Sequence, residues 1–167
     1  MWCTIEVMTV SADDEFVNPP ATADVPSRRI TRIVTARAAP QRVWAAISTP
    51  EGYSRWLGDI ATFPSGFVAG GKGRFAWTGE IVLAVEVLEV VPEQRVMFSW
   101  AEGFMSNAAT TVTLSIREDE LGTQIHLEES GFAFPQADGE SVLRSLRSLA
   151  QGWTLELDEL VRLVESE

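Results

Sequence analysis

His126, Glu129, a glycine run at Gly70, Gly71 and Gly73, and six tryptophans are the residues whose types can do chemistry. Histidine is the usual proton shuttle near neutral pH. His126 has no companion imidazole, and Cys3 is the one cysteine, so a metal site lacks its ligand set. No Ser-His-Asp or Cys-His arrangement is visible either. In the stretch 123–129 His126 alternates with Ile125 and Leu127 and should face solvent, whereas Glu129 falls on their inner side. A carboxylate placed there can act as a base or anchor a polar ligand group, which makes Glu129 the one candidate for catalysis. The alternative is that the strand has already left the sheet and Glu129 meets solvent or an arginine. The rarity of unpaired buried charge favours that alternative. The glycine run is not a phosphate cradle, because Arg74-Phe75-Ala76-Trp77 reads as a strand where such a loop needs a helix. It should be a hairpin turn.

Trp56, Trp77, Trp100 and Trp153 come from four different stretches and should converge in part, together with Phe75 and Phe98. Aromatic rings bury large areas and pack edge to face. One reading is plain core; the other is a ring-lined site for a flat ligand.

The element that must position them is the last stretch, 138–167. Val142, Leu146, Leu149, Trp153, Leu157, Leu160 and Val164 recur at spacings of three and four, one stripe of a helix. Leu143, Ala150 and Val161 widen it, and Asp138 can cap its start. Arg144, Arg147, Gln151, Asp158 and Arg162 lie on the other side, with Asp158 and Arg162 at an ion-pair spacing. Gly152 breaks the helix propensity, by about 1 kcal/mol against alanine, where something must come close or space must stay open.

Ahead of that helix the chain reads as strands. Arg28–Arg37 is a first strand, Pro40 starts a short helix through Val43, Trp44, Ala46 and Ile47, and Thr49-Pro50-Glu51-Gly52 interrupts before a second helix over 53–57. Strands follow over 60–68 (broken by Pro64 and Gly66), 74–78, 80–91, 95–100, 109–117 and 123–129, with a loop at 102–107. Short turns between alternating strands predict an antiparallel meander with one apolar face. Met1–Val10 alternates weakly, either an extra strand on a sheet edge, its own or a neighbour's in a homodimer, or a disordered tail. Ser11–Ser27, with Pro19, Pro20 and Pro26, reads as linker, which puts the boundary of a 28–167 domain near Ser27.

The fold class is therefore α+β: a curved antiparallel sheet of six to seven strands wrapped around a long C-terminal helix, with two short helices after the first strand. A helix is about 10 Å across, whereas such a sheet is roughly 30 Å wide before it curls. The remainder should be an apolar cavity of a few hundred cubic ångströms. Phe75, Val96, Phe98, Trp100, Val112, Leu114 and Trp153 are the expected walls, Trp56 and Leu149 join them, and Glu129 is the polar group among them.

The chain carries 24 acidic and 13 basic side chains, a net charge of −11, which would repel nucleic acid and anionic membranes. It has neither a basic, apolar leader nor a membrane-length apolar run, so the expected location is cytoplasmic. No pattern calls for a cofactor.

Ala38-Ala39-Pro40-Gln41-Arg42-Val43-Trp44, Pro50-Glu51 with Arg55-Trp56, Gly70-Gly71-x-Gly73-Arg74-Phe75, and 87–96 with its Val91-Pro92-Glu93-Gln94 turn form an ordered set. Gly122-Thr123, Ser130-Gly131-Phe132 and Gly152-Trp153 complete it. The set resembles the SRPBCC superfamily, the helix-grip fold of birch-pollen allergens and START domains. The branch it resembles most is that of homologues of the heat-shock-protein-90 ATPase activator. Val91 departs from an aspartate common there. The resemblance covers about 28–165 and implies a ligand cavity, with cyclase- or hydrolase-like chemistry in some relatives. Binding of a small hydrophobic or aromatic molecule is the leading reading. A chaperone-partner module is the alternative, although 1–27 stands where those co-chaperones carry a separate domain.

Overall fold

The computed structural model describes residues 16–78, 81–102, 109–134 and 138–166. The alternating segment Met1–Val10 lies outside them, as does the loop expected over 102–107 from residue 103 onward. The chain runs β1 (Thr22–Asp24), β2 (Arg29–Ala36), α1 (Pro40–Ile47), α2 (Pro50–Tyr53), β3 (Ile60–Thr62), β4 (Lys72–Ala76), β5 (Val82–Val91), β6 (Arg95–Glu102), β7 (Thr110–Asp119), β8 (Gly122–Ser130) and α3 (Gly139–Glu165). All pairings are antiparallel in one eight-stranded sheet of order β1-β2-β8-β7-β6-β5-β4-β3. The α+β helix-grip architecture is as the sequence implies, with one strand more than the expected six to seven.

That strand, β1, falls in the stretch read as linker. Its proline-rich composition hides three side-chain and backbone anchors. Asn18 brackets the Thr35 backbone (2.7 and 3.1 Å), Ala21 donates to Thr154 Oγ1 (2.9 Å), and Arg32 donates to the Pro19 carbonyl (2.9 Å). A second difference concerns the helix pair. Thr49-Pro50-Glu51-Gly52 is not an interruption but the start of α2: Pro50 takes the first turn, and Thr49 Oγ1 accepts from the Gly52 N–H (3.0 Å). Residues 54–57 follow as turn rather than helix. Gly52 lets the two helices touch, since a Cβ there would lie 2.5 Å from the Ala45 carbonyl oxygen.

The strands alternate as their sequences do. Val96 and Phe98 on β6, Val112 and Leu114 on β7, and Ile125 and Leu127 on β8 are fully buried on the concave face. A bulge between Val87 and Glu89 on β5 bends the sheet over that face. Gly70 and Gly71 make the turn into β4, with Gly70 at φ +83°, Gly73 already lies in that strand, and a strand there leaves no helix end for a phosphate.

Asp138 caps α3 by accepting from the Ser141 N–H (2.7 Å), as its position predicts. The helix buries Val142, Leu146, Ala150, Trp153, Leu157, Leu160 and Val164, while Leu149 is 45% exposed. Asp158 does not pair with Arg162, which takes Glu159 instead. It receives Arg32 (2.7 Å), a guanidinium buried on β2 that also donates to the Thr154 carbonyl (2.6 Å). This clamp holds α3 over β1 and β2, the strands it lies closest to. The gap therefore opens on the opposite side, toward β4, β5 and β6.

Candidate functional site

Three strands and the helix build the site at one end of the concave face. Trp100 pairs directly with Thr110, and Val112 with Glu129, so the pleat turns Trp100, Thr110 and Glu129 inward beside one another. Trp153 comes down on them from α3. Its indole N–H donates to Glu129 Oε2 (2.6 Å), and its ring stacks on Trp100 with centroids 5.4 Å apart at 23°. Glu129 Oε1 accepts from Trp100 Nε1 (2.8 Å) and from Thr110 Oγ1 (2.5 Å). An indole N–H can only donate, so the carboxylate is the acceptor at the centre of this cluster.

Glu129 is 4% exposed and has not left the sheet, which corrects the favoured reading that it meets solvent or an arginine. The rule that a buried polar group needs a partner still holds; the partners are two indoles and a hydroxyl. Alternation along one strand could not reveal donors from three other elements.

Next to the cluster lies a cavity of about 580 Å³. Ile81 and Leu83 wall it from the β5 side, with Trp77 after β4, and Trp100 and Ala101 line it on β6. Thr110 and Glu129 form polar floor, and Phe132, Ala133 and Phe134 close one side beyond β8. Ser148, Leu149, Gly152, Trp153 and Glu156 face it from α3, with Leu57 at the inner end. Ser148 and Gly152 leave the helix nearly bare here, and a Cβ on Gly152 would touch nothing within 4 Å.

Of the expected wall residues, the cavity brings together Trp100, Glu129, Leu149 and Trp153. Trp56, Phe75, Val96, Phe98, Val112 and Leu114 are placed elsewhere, in solid core. The middle of the concave face is not open, because Tyr53 and Phe67 are inserted over it. The Tyr53 ring lies 5.0 Å from Phe75 and 6.0 Å from Phe98, and Phe67 lies 6.2 Å from Phe98. Phe63 completes the plug, 5.5 Å from Phe75, and Gly73 makes room for it: a Cβ there would lie 2.4 Å from the Phe63 ring. Trp56 instead donates to the Ala46 carbonyl (2.9 Å), tying the turn after α2 to α1. His126 is exposed on the convex face.

The electrostatics of the wall are one-sided. Burial pushes the Glu156 carboxyl up to about 7; the hydrogen bond from Trp77 acts against this, and Glu159 and Asp59 add to it. Asp59 is itself held below the usual carboxylate range by the Thr78 backbone N–H (2.5 Å) and hydroxyl (2.8 Å). The Tyr53 hydroxyl, deep in the plug, finds no partner among the described residues, and burial pushes it well above the ordinary tyrosine value. Among the described residues no three of His, Cys, Asp and Glu gather as a metal site.

Sequence reasoning left out Thr110 and Glu156 from the wall, and named Trp77 only among the tryptophans that should converge in part. Thr110 shares the inward parity of Val112, and Glu156 stands one helical turn beyond Trp153, so both signals were present. Neither distinguishes cavity from core.

Comparison with known proteins places this geometry. The family model described as Activator of Hsp90 ATPase homolog 1-like protein matches residues 37–165. No curated protein matches the sequence. Protein MLL2253 from Mesorhizobium loti has a similar structure, with a TM-score of 0.70 at 22% identity over 83% of this chain and 98% of that one. The Aha1 dimer from Colwellia psychrerythraea gives 0.66 at 18% identity over 82% and 96%. DynU16, a protein of the dynemicin biosynthetic locus, gives 0.69 at 20% identity over 83% of this chain and 47% of its own. At these identities the likeness is one of fold.

Proposed function

We propose, from the premise that this chain belongs to the Activator of Hsp90 ATPase homolog 1-like family within the SRPBCC superfamily, that it binds a small, flat, apolar or aromatic molecule between sheet and helix. The observation that carries the proposal is the cavity of about 580 Å³ walled by Trp77, Trp100, Trp153, Phe132 and Phe134. That volume is in the range of ligand sites, and apolar walls with few polar groups are what such sites use. Burial of a flat ring against these faces supplies affinity by desolvation, and the Trp100 and Trp153 indoles, held in place by Glu129, set its orientation.

The hydroxyl–carboxylate contact at the cavity, Thr110 on Glu129 Oε1, shares that oxygen with the Trp100 indole N–H, and no histidine joins it among the described lining residues, so the reading is binding rather than covalent catalysis. The acidic surface argues against nucleic acid and anionic membrane as partners. Among the described residues no helix is long and apolar enough to cross a membrane. A cytoplasmic location remains part of the proposal.

Native mass spectrometry of the purified chain, followed by titration with neutral three-ring aromatics, tests the reading. A bound small molecule or saturable tryptophan quenching supports it. A stoichiometric chaperone captured from lysate, with no quenching, would instead favour the protein-interaction reading that the family's description suggests. Because one similar structure is that of a dimer, homodimer formation is carried as a further proposal. Sedimentation of a chain lacking residues 1–15 checks it; an unchanged mass dismisses pairing through that segment.

A further inference from the structure

We infer that the cavity selects a cationic aromatic ligand, one whose ring lies against Trp77 and Trp100 and whose positive nitrogen meets Glu156. The inference rests on the binding proposed above and names the chemical class of what is bound. Among the described residues two carboxylates, Glu129 and Glu156, line the cavity, and no lysine, arginine or histidine does. They differ in what they have left to offer. Glu129 is enclosed by Trp100, Thr110 and Trp153, whose donors already occupy both of its oxygens. Glu156 stands half-buried one turn along α3 from Trp153, beside the Trp77 ring, and no arginine or lysine pairs with it among the described residues.

The charged groups that act on Glu156 among the described residues are of one sign. Glu159 on α3 and Asp59 on the turn before β3 both raise the cost of its charge. Arg28 is the cation near this end, and it stacks outside the lining, 5.7 Å from the Phe134 ring centre. A carboxylate desolvated among like charges and aromatic faces gains most from a ligand cation. The cation relieves the repulsion and sits over electron-rich indole rings at the same time. The chain's net charge of −11 adds long-range attraction for such a ligand. Because Glu156 is neutralised in part near pH 7, affinity for the cation should rise as pH rises through that value.

N-methylacridinium, a permanent cation, and acridine, its neutral counterpart at pH 8, separate the possibilities in calorimetric titrations. The inference expects N-methylacridinium to bind about tenfold tighter than acridine, the increment of one modest ion pair, with the preference shrinking at pH 6. Glu156→Gln should abolish both the preference and its pH dependence while acridine still binds. Equal affinities for the two probes would overturn the inference and leave the binding reading standing. Binding of neither would overturn that reading itself. A preference that survives unchanged in the Glu156→Gln chain, with its fold verified by circular dichroism, would also overturn the inference.

Discussion

At the scale of single residues, the account rests on how Glu129 and Glu156 are held. Glu129 Oε2 has the Trp153 indole as its donor among the described residues. Trp153→Phe keeps a smaller aromatic ring and removes that N–H, so a buried acceptor is left short. The expected cost is about 1–3 kcal/mol, the penalty of an unmet buried polar group, read from denaturant melts. A melt identical to that of the native chain would mean the bond is not formed. Glu156 supplies a pH signature. Unfolded, its carboxyl titrates near the ordinary 4.5; folded, near 7. Between those values the folded chain holds a proton that the unfolded chain has lost. Stability from this group is therefore full below the lower value and falls as pH rises through the upper one. Because the side chain keeps partial access to water, the loss should be discounted to ~1–2 kcal/mol. Glu156→Gln should remove that slope between pH 5 and 8, and an unaltered slope in thermal melts across that range would reject the assignment. Strand alternation put Glu129 on the inner side, but the rarity of unpaired buried charge favoured the opposite reading. Its neutral donors were not legible, because they come from β6, β7 and α3 and no local pattern links them.

At the scale of elements, α3 does two jobs along one length. Its Arg32–Asp158 clamp and its stripe from Val142 to Val164 fix it over β1 and β2. Ser148 and Gly152 then keep the opposite face thin where the cavity lies. Seven-residue periodicity in the sequence was enough to place the helix, its cap and nearly all of its buried side. The stripe alone did not separate Leu149, which lines the cavity, from the core residues around it, since a stripe cannot say where the opposing surface recedes. The aromatic plug was hidden for a similar reason. Phe63 and Phe67 sit in a stretch that reads as a broken strand, and only the turn that follows β3 folds them over Phe75 and Phe98. A test at this scale concerns Gly152. Its Cβ position is free of contacts, so Gly152→Ala should stabilise the helix by about 0.5–1 kcal/mol, the glycine penalty recovered. A destabilised variant in chemical denaturation would show that something occupies that space.

At the scale of the whole molecule, the fold follows from a mismatch: one helix clamped toward one side of an eight-stranded sheet leaves the other side uncovered. Two short helices and the 63–71 connection fill the middle with rings, and the remainder is the cavity beside Glu129. The order of elements and the meander were readable from strand alternation and turn residues. The position of the cavity was not, because it depends on which of several aromatic side chains happen to fill the concave face. The central claim is that this remaining space is a ligand site, and the most direct measurement is calorimetric titration of acridine at pH 8 into the native chain and into Gly152→Leu. The account predicts one molecule bound per chain, and an affinity at least tenfold weaker in the variant as the leucine enters the space, a difference of about 1.4 kcal/mol. No heat of binding to the native chain, or the same affinity in a folded Gly152→Leu chain, would contradict it.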